Sequence, residues 1–327
     1  MRLQIFLYLA LAILPCQTNY KSDLEKYCVN ESRSKDSFIA WLDKRVTSVE
    51  NETKKNMVLR INHDREERIV KVLFSKKINP VSFIENEINT LENLSQYWFV
   101  NTLNEKDENF CFYDEHNTYI MMKAFDSSLD NIHKHYDLEE IYHNPSWQLF
   151  AILAVGNAMV RLHNLRYLHR DIKPQNVFVK DVFDIVLGDF DLTIFLPPKT
   201  GEEIVKGHKT SDSAGTRVYS APEVIKSQTY SVKSDAFSFG VFIFKLLTNE
   251  TFSEDHMEHE NLMVLISKYR NCSKKYDTGT TTDLYCNYFK PLVEKLISKS
   301  PNNRPYAYAL IKQLYEIAFK AYTSIKT

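Results

Sequence analysis

Acidic, basic and amide side chains follow one another closely in the stretch "YLHRDIKPQNVFV", residues 167–179. Within it, Asp171 is followed by Lys173 and then by Asn176. A further acidic residue, Asp189, comes after the next run of residues that favour β-strands. Carboxylate and amide oxygens are ligands that hard divalent cations take in proteins. The first question is therefore whether Asp189 marks a metal-binding turn.

The 167–179 stretch resembles the catalytic loop of the eukaryotic protein kinases, His-Arg-Asp-x-Lys-x-x-Asn, at every signature position. The resemblance implies that Asp171 accepts or orients the proton of a substrate hydroxyl. It also implies that Lys173 neutralises charge on the transferring phosphoryl group and that Asn176 holds a Mg²⁺ ion. A lysine at position 173 resembles the Ser/Thr-specific branch. The alternative, a polar loop after a buried helix, leaves this match of typed positions unexplained.

The triplet Asp189-Phe190-Asp191 resembles the Asp-Phe-Gly turn of the same family. The resemblance implies that Asp189 binds the Mg²⁺ that bridges the phosphates of ATP. The departure is Asp191, which stands where glycine is usual. Because glycine tolerates a positive φ, we expect aspartate to restrict this turn. Its carboxylate would either help to bind a cation or repel ATP.

The segment "GTRVYSAPEVI", residues 215–225, resembles the end of a kinase activation segment. The resemblance implies that Thr216 contacts the catalytic aspartate and lysine. It implies that Glu223 pairs with a buried arginine, for which Arg304 is the candidate, and such a pair would fix the segment geometrically. Asp235, further along, is expected to hydrogen-bond the backbone of the catalytic loop.

The first part of the chain matches the family more loosely. "RIVKVLF" resembles the kinase strand Val-Ala-Ile-Lys, which would direct Lys71 to the phosphates of ATP, with Ile69 in place of the alanine above the adenine. We expect Glu87 to be the carboxylate partner of Lys71, with Glu85 and Glu92 as alternatives. Without the other motifs, Lys71 would be interpreted as a solvated charge on an edge strand.

Two further cofactor-binding residues follow from the resemblance. Val58 stands where the family has the valine that covers the adenine, and Met122 lies in the β-type run "TYIMMKAF". The loop before Val58 should be rich in glycine, but residues 51–56 read Asn-Glu-Thr-Lys-Lys-Asn. Side chains there obstruct the approach of backbone N–H groups to phosphates. The implied cofactors are ATP and Mg²⁺ or Mn²⁺.

The pattern of elements predicts an α+β protein with a two-lobed, kinase-like fold. β-type runs and one helical pattern occupy the first part, and helical patterns dominate from about residue 146. "MVLRINHD" and "ERIVKVLF" predict a hairpin, "SFIENEINTLENL" predicts a helix, and "SWQLFAILAVGNAMVRLHNL" predicts a long apolar helix. The predicted segments are a signal peptide, an N-terminal extension, a small β-rich lobe and a larger helical lobe, at residues 1–18, 19–44, 45–125 and 126–322.

The N-terminus predicts entry into the secretory pathway. Met1-Arg2 precedes the apolar run "LQIFLYLALAIL", which is too short to span a bilayer comfortably. The alternative is an N-terminal anchor or a buried helix. Four later cysteines allow three pairings, of which we favour Cys28–Cys111 and Cys272–Cys286 over four reduced thiols. N-glycosylation sequons lie at Asn30, Asn51, Asn93, Asn249 and Asn271.

These observations leave three functional hypotheses. The first is a Ser/Thr protein kinase of the secretory pathway, acting in the endoplasmic reticulum lumen or outside the cell on a protein substrate. The second is a pseudokinase that serves as a binding scaffold or allosteric partner, for which the loop without glycine, Ile69 and Asp191 are the evidence. The third is a lumenal sensor or secreted effector that acts through protein contacts. A formal net charge of −1 gives no general attraction to nucleic acid or anionic membranes, and we expect no stable membrane span.

Overall fold

The structure, a computed structural model, divides the chain into two compact units, Met1–Ala124 and Phe125–Thr327. The predicted boundary between the lobes lies one residue later, at 125/126. The described residues are 29–30, 41–52, 56–63, 65–74, 81–94, 111–113, 117–132, 141–181, 184–196, 208–210, 214–252, 259–269 and 281–325.

The described part of the first unit contains one sheet, a short helical stretch at residues 41–43 and one longer helix. The sheet has six strands in the order β1-β5-β6-β4-β3-β2. Only the β1/β5 pair is parallel; the other neighbours are antiparallel. The predicted hairpin is confirmed as β3 and β4. The strands are β1 (Val29–Asn30), β2 (Val46–Glu52), β3 (Asn56–His63), β4 (Glu66–Phe74), β5 (Cys111–Tyr113) and β6 (Asn117–Lys123).

One face of this sheet carries a compact apolar core, because side chains alternate between the two faces of a strand. Leu42, which precedes the first long strand, is fully buried in this core, and Trp41 packs against it. The packed unit therefore takes in residues before position 45, where the sequence predicted an extension. The strand residues of the core are Met57, Leu59, Ile61, Val70, Val72, Phe74, Tyr119 and Met121.

The predicted helix of the first unit is confirmed as α1 (Val81–Leu94). Its buried apolar positions include Ile84, Ile88 and Leu91. These positions recur at the spacing of one helix face, which is the pattern that the sequence showed. Glu87 is 2% exposed on the same helix, so this carboxylate lies where an unpaired charge would be costly.

The second unit is mainly helical. Its described helices are α2 (Pro145–Asn164), α3 (Pro222–Ser227), α4 (Val232–Thr248), α5 (His259–Ser267), α6 (Thr281–Leu284), α7 (Lys290–Leu296) and α8 (Ala307–Ile325), and a π-helical segment, Tyr285–Phe289, joins α6 to α7. Short strands form three small sheets, namely β7 (Ser127–Ser128) with β9 (Val177–Val179) and β10 (Ile185–Leu187), β8 (Tyr167–Leu168) with β11 (Ile194–Phe195), and β12 (His208–Lys209) with β13 (Thr229–Tyr230).

Two long helices form the frame of this unit. The predicted apolar helix is confirmed as α2, whose N-terminus is capped by the Asn144 side chain with Pro145 in the first turn. Helix α4 starts at a capping box in which Ser231 and Ser234 satisfy each other's backbone N–H groups. Nearly all of α4 is buried, so it is a fixed base for the loops that begin and end on it.

Two sequence predictions touch the chain's environment. No helix within the described ranges is both long and apolar enough to cross a membrane, and residues 1–18 lie outside those ranges. Cys111 and Cys286 are disulfide-bonded. Their predicted partners, Cys28 and Cys272, lie outside the described residues, so the pairing stays a prediction.

We predict that Leu42→Ala lowers the free energy of unfolding by about 2–5 kcal/mol, because truncation of a fully buried leucine leaves a cavity. Denaturant titration followed by circular dichroism measures this change. Val264→Ala is the control, since Val264 is 59% exposed and its truncation should change stability by less than about 0.5 kcal/mol. Equal midpoints for Leu42→Ala and the wild type would show that this segment is not part of the folded core.

Candidate active site

The carboxylate of Asp235, in the first turn of α4, anchors the loop that follows β8. Its Oδ2 accepts the backbone N–H of His169 at 2.9 Å, and its Oδ1 accepts that of Arg170 at 3.0 Å. The ring Nε2 of His163, near the end of α2, lies 2.9 Å from Oδ2. The predicted contact between Asp235 and the loop backbone is thus confirmed, and the loop is tied to a buried helix.

Asp235 remains charged in spite of its burial. Desolvation alone would raise the pKa of this carboxyl, but the hydrogen bonds from His163 and His169 hold the pKa below its ordinary value. A buried carboxylate with three donors is stable only while those donors stay in place. The backbone of the loop is therefore held in place by the buried Asp235 charge, which needs these donors, as well as by packing.

His169 links the loop to the segment that carries Asp189. Its Nε2 donates to the carbonyl of Gly188 at 3.1 Å, and its Nδ1 accepts the backbone N–H of Asp171 at 3.3 Å. This pattern requires the neutral ring with the proton on Nε2. Burial lowers the pKa of His169, which favours the same neutral form, although nearby aspartates oppose the shift.

Asp171 is the centre of the site. Its Oδ2 lies 2.6 Å from the Lys173 Nζ and 3.0 Å from the Asn176 Nδ2. Its Oδ1 accepts the backbone N–H of Thr216 at 2.8 Å, and Lys173 also donates to the Thr216 Oγ1 at 2.7 Å. The predicted contacts of Thr216 are therefore confirmed. Burial would raise the pKa of Asp171, but Lys173 and Thr216 hold this pKa below its ordinary value, so the carboxylate is ionised.

Asn176 turns back onto the loop, as the resemblance implied. Its Nδ2 uses both N–H groups, one on the carbonyl oxygen of Asp171 at 2.8 Å and one on the carboxylate. The side-chain oxygen of Asn176 is consequently left for another ligand. The backbone oxygen of Asn176 accepts the N–H of Gly188 at 2.9 Å, which positions the residue directly before Asp189.

The left-handed residue of the turn is Asp189 itself, with φ 62°, whereas Asp191 does not have a positive φ. Asp191 therefore occupies a backbone conformation that is open to residues other than glycine, and the expected restriction of the turn stays a prediction. Aspartate is among the residues that tolerate the left-handed region, so Asp189 fits its own backbone. Phe190 is buried, with its ring centroid 5.4 Å from that of His169.

Asn176 and Asp189 would together hold the divalent cation. Both offer hard oxygen atoms, and Mg²⁺ is bound through one or two protein carboxylates together with water and phosphate oxygens rather than by a complete protein cage. No group of three or more His, Cys, Asp or Glu residues suited to a metal ion occurs among the described residues. The donor set fits a Mg²⁺ ion that arrives with a nucleotide.

In the first unit, the structure selects one carboxylate for Lys71. The Lys71 Nζ lies 2.9 Å from the Glu87 Oε1, and the two side chains are 6% and 2% exposed. Glu85 is half-buried and Glu92 is exposed, so Glu87 is confirmed as the partner of Lys71. The alternative of a solvated edge-strand lysine is wrong, because β4 lies inside the sheet.

The proposed nucleotide-binding residues of this unit share one face of the sheet. Val58 on β3 is opposite Lys71 on β4, and Ile69 on β4 is opposite Met122 on β6. Alternation puts these four residues on the face opposite the apolar core. Their role in binding ATP stays a prediction. Of the loop without glycine, residues 53–55 lie outside the described ranges.

The activation segment is anchored at its end by an ion pair. Arg304 donates to both carboxylate oxygens of Glu223, at 2.6 Å and 3.0 Å, which confirms the predicted pair. Arg304 also donates to the carbonyl groups of Lys233 and Ser298, at 2.9 Å each. Because Arg304 is 1% exposed, loss of Glu223 would leave a buried charge without its ionic partner.

Sequence reasoning missed two residues of this network. His163, which supports Asp235, is a polar residue in the last turn of an apolar helix, and that contrast is the signal that was present. Tyr230, whose hydroxyl bonds the activation segment, carries no signal by type or spacing. His163 acts through the carboxylate of Asp235, whereas Tyr230 acts through the backbone N–H and carbonyl of Ala214.

We predict that Asp235→Asn lowers the free energy of unfolding at pH 6 by about 3 kcal/mol, because it removes a buried charge from paired donors. The folded pKa of Asp235 is depressed relative to 3.8, so its contribution is present above that pH and is lost as the pH falls through the folded pKa. The stability difference between wild type and variant should therefore shrink toward pH 2. Denaturant titrations at several pH values measure it, with the exposed Asp181→Asn as control. A difference that stays constant with pH would contradict the ionic role.

The protein kinase domain family matches residues 26–316 of this chain. Among curated proteins, a serine/threonine-protein kinase A of Trypanosoma brucei brucei is 27% identical over 172 residues, which are 52% of this chain and 36% of that protein. The Rho-associated protein kinase let-502 of Caenorhabditis briggsae is 27% identical over 201 residues, 59% of this chain and 15% of that protein. The leucine-rich repeat receptor-like serine/threonine/tyrosine-protein kinase SOBIR1 of Arabidopsis thaliana is 36% identical over 109 residues, 33% of this chain and 16% of that protein.

The matches cover about a third or less of the length of these curated relatives, so their activities as whole proteins are not carried over. The family match, in contrast, spans most of the chain and includes every motif described above. With the catalytic loop, the Asp189 turn, the Lys71–Glu87 pair and the Glu223–Arg304 pair in place, the chain belongs to the protein kinase family.

Proposed function

We propose that this chain is an active protein kinase that transfers the γ-phosphoryl group of ATP to serine or threonine hydroxyls of a protein substrate. The observation that carries the proposal is the set of hydrogen bonds within the catalytic loop. Asp171, Lys173 and Asn176 fix one another, and each keeps one group for a ligand. The Ser/Thr assignment rests on the lysine at position 173 and on relatives of that type.

Asp171 and Lys173 each keep a hydrogen-bonding group that suits phosphoryl transfer. Asp171 Oδ1 accepts one hydrogen bond, from Thr216, so a lone pair remains for a substrate hydroxyl and its proton. The Lys173 ammonium has three N–H groups and spends two, on Asp171 and Thr216. Its third N–H would donate to a phosphoryl oxygen and offset the charge there.

Mg²⁺ or Mn²⁺ held by Asn176 and Asp189 would supply positive charge to the phosphates when bound. The first unit would contribute Lys71, oriented by its buried pair with Glu87, to the phosphates. Phosphoryl transfer depends mostly on positioning and electrostatic stabilisation, and this chain retains the side chains for both.

The second candidate function is a pseudokinase scaffold. It is favoured by the absence of glycine from residues 51–56 and by Ile69 in place of alanine. The third argument for it, the aspartate at position 191, is weakened because that residue has no left-handed backbone. A scaffold has no physical need for a catalytic carboxylate with a depressed pKa, so we favour the active enzyme.

We predict that Asp171→Asn, Lys71→Met and Asp189→Asn each reduce phosphate transfer from labelled ATP by at least about 10²-fold, since each removes a charge that acts on the reacting groups. Circular dichroism should show that the variants stay folded. Asp181→Asn is the matched control, because Asp181 is exposed in the same unit and should leave the rate unchanged. Substantial activity in Asp171→Asn would exclude the assignment.

The protein is further proposed to enter the secretory pathway, to be retained in the endoplasmic reticulum lumen or secreted. Support comes from the apolar N-terminal run, from the disulfide bonds at Cys111 and Cys286, and from sequon asparagines at the surface. Asn51, Asn93 and Asn249 are all exposed, and Thr251 of the last sequon is exposed as well. An exposed sequon in the lumen can accept a glycan.

We predict that the chain made in a eukaryotic secretory host loses apparent mass on endoglycosidase treatment, and that Asn249→Gln removes one glycan. Gel mobility and mass spectrometry of the peptide that contains Asn249 measure this. Asn157→Gln is the control, since Asn157 is not in a sequon. A wild-type chain insensitive to the glycosidase would contradict the proposed compartment without bearing on kinase activity.

A further inference from the structure

The placement of Thr216 depends on the two residues before it. Gly215 has φ 97°, and a Cβ atom there would lie 2.6 Å from the carbonyl oxygen of Arg170. The activation segment therefore passes directly against the backbone of the catalytic loop at this point. Any displacement of Ala214 or Gly215 would move the Thr216 N–H and hydroxyl, which contact Asp171 and Lys173.

One buried hydroxyl holds Ala214 from both sides. The Tyr230 Oη accepts the Ala214 N–H at 2.8 Å and donates to the Ala214 carbonyl at 2.9 Å. Tyr230 is 1% exposed and Ala214 is 7% exposed, so water does not replace these bonds. The guanidinium of Arg170 lies over the Tyr230 ring, 4.3 Å from its centroid, which ties the same tyrosine to the catalytic loop.

Tyr230 is also fixed along the chain. Its backbone pairs with His208 in the β12/β13 ladder, so an earlier part of the activation segment is attached to the same residue. The next residue, Ser231, is the N-cap of α4, and Asp235 follows in the first turn. The start of α4 thus holds the catalytic loop through Asp235 and the activation segment through Tyr230, on either side of Asp171.

From this geometry we infer that Tyr230 is a positioning residue for phosphoryl transfer, acting through Ala214 on Thr216 and so on Asp171 and Lys173. This inference rests on the proposed function. Within the described part of the chain, Tyr230 contacts Ala214, His208 and Arg170 rather than the Asp171 carboxylate or the Lys173 ammonium, so it would not alter their chemistry directly. Its hydroxyl sets where the activation segment meets the catalytic loop.

Removal of the Tyr230 hydroxyl should lower the rate of phosphoryl transfer. Tyr230→Phe keeps the ring under Arg170 but leaves the Ala214 N–H and carbonyl buried without their partner, which is an unfavourable state that movement of the segment relieves. Displacement of catalytic groups by about 1 Å costs on the order of 10²-fold in rate. We expect kcat to fall by about 10- to 100-fold, with KM for ATP unchanged.

The experiment compares the full chain with Tyr230→Phe and with the matched control Tyr285→Phe. Tyr285 is equally buried in the same unit, and its hydroxyl has no hydrogen-bond partner among the described residues. Steady-state kinetics with Mg·ATP give kcat and KM, and hydrogen–deuterium exchange of a peptide that covers residues 214–219 reports on the two hydrogen bonds between Tyr230 and Ala214. If Tyr230→Phe does not fold, Ala214→Gly tests the same point by making the backbone at this position more flexible, and it should lower kcat in the same way.

The inference is supported if Tyr230→Phe exchanges faster at 214–219 and has a lower kcat with an unchanged KM, while Tyr285→Phe resembles the wild type in both. Faster exchange with an unchanged kcat would overturn the positioning role. Unchanged exchange would show that the Tyr230 hydroxyl does not hold Ala214 in place. If the wild type transfers no phosphate, the proposed function fails first and the positioning role falls with it, whereas an active wild type with an equally active Tyr230→Phe refutes the inference alone.

Discussion

The buried carboxylate of Asp235 is the interaction on which the rest of the site depends. It receives the backbone N–H groups of His169 and Arg170 and lies against the His163 ring, all in the interior of the second unit. Because a buried charge without its donors is expensive, the catalytic loop cannot leave α4 at low cost. The neutral His169 ring in turn donates to the carbonyl of Gly188 and so fixes the residue directly before Asp189. One ionised group on a helix thus helps to place both the Asp171 and the Asp189 carboxylates, for which we propose the catalytic and metal-binding roles.

The second unit also holds the activation segment in place. Its end is held by the two-pronged pair between Glu223 and Arg304, and its middle by the hydroxyl of Tyr230, which precedes α4 directly. All the catalytic contacts of Asp171 are consequently made within the second unit. The glycine loop that this chain lacks belongs to the first unit, where nucleotide phosphates would be approached. We therefore expect the loss of glycine to weaken binding of the nucleotide while the contacts around Asp171 stay as described.

Most of the fold and the side chains of the site could be predicted from the sequence, because both are encoded by type and spacing. The 3.6-residue period gave α1 and α2, and the catalytic loop, the Lys71–Glu87 pair and the Glu223–Arg304 pair follow from motif order. What the sequence did not predict depends on backbone conformation and on contacts between distant segments. The left-handed backbone of Asp189, for example, has no signal in the sequence. His163 bonds the carboxylate of a distant helix, Tyr230 bonds the backbone of another segment, and Leu42 joins a core from outside the predicted lobe. Such roles have no local pattern.

The most direct test of the account is to identify, by mass spectrometry, which hydroxyls become phosphorylated when the purified chain is incubated with ATP, a general protein acceptor and Mg²⁺ or Mn²⁺. The account predicts phosphate on serine and threonine residues and none when the divalent cation is removed by a chelator. Absence of phosphate from folded protein, with either metal, would contradict it and would leave a kinase fold that works by binding. Phosphate confined to tyrosine would contradict the Ser/Thr specificity that we infer from Lys173.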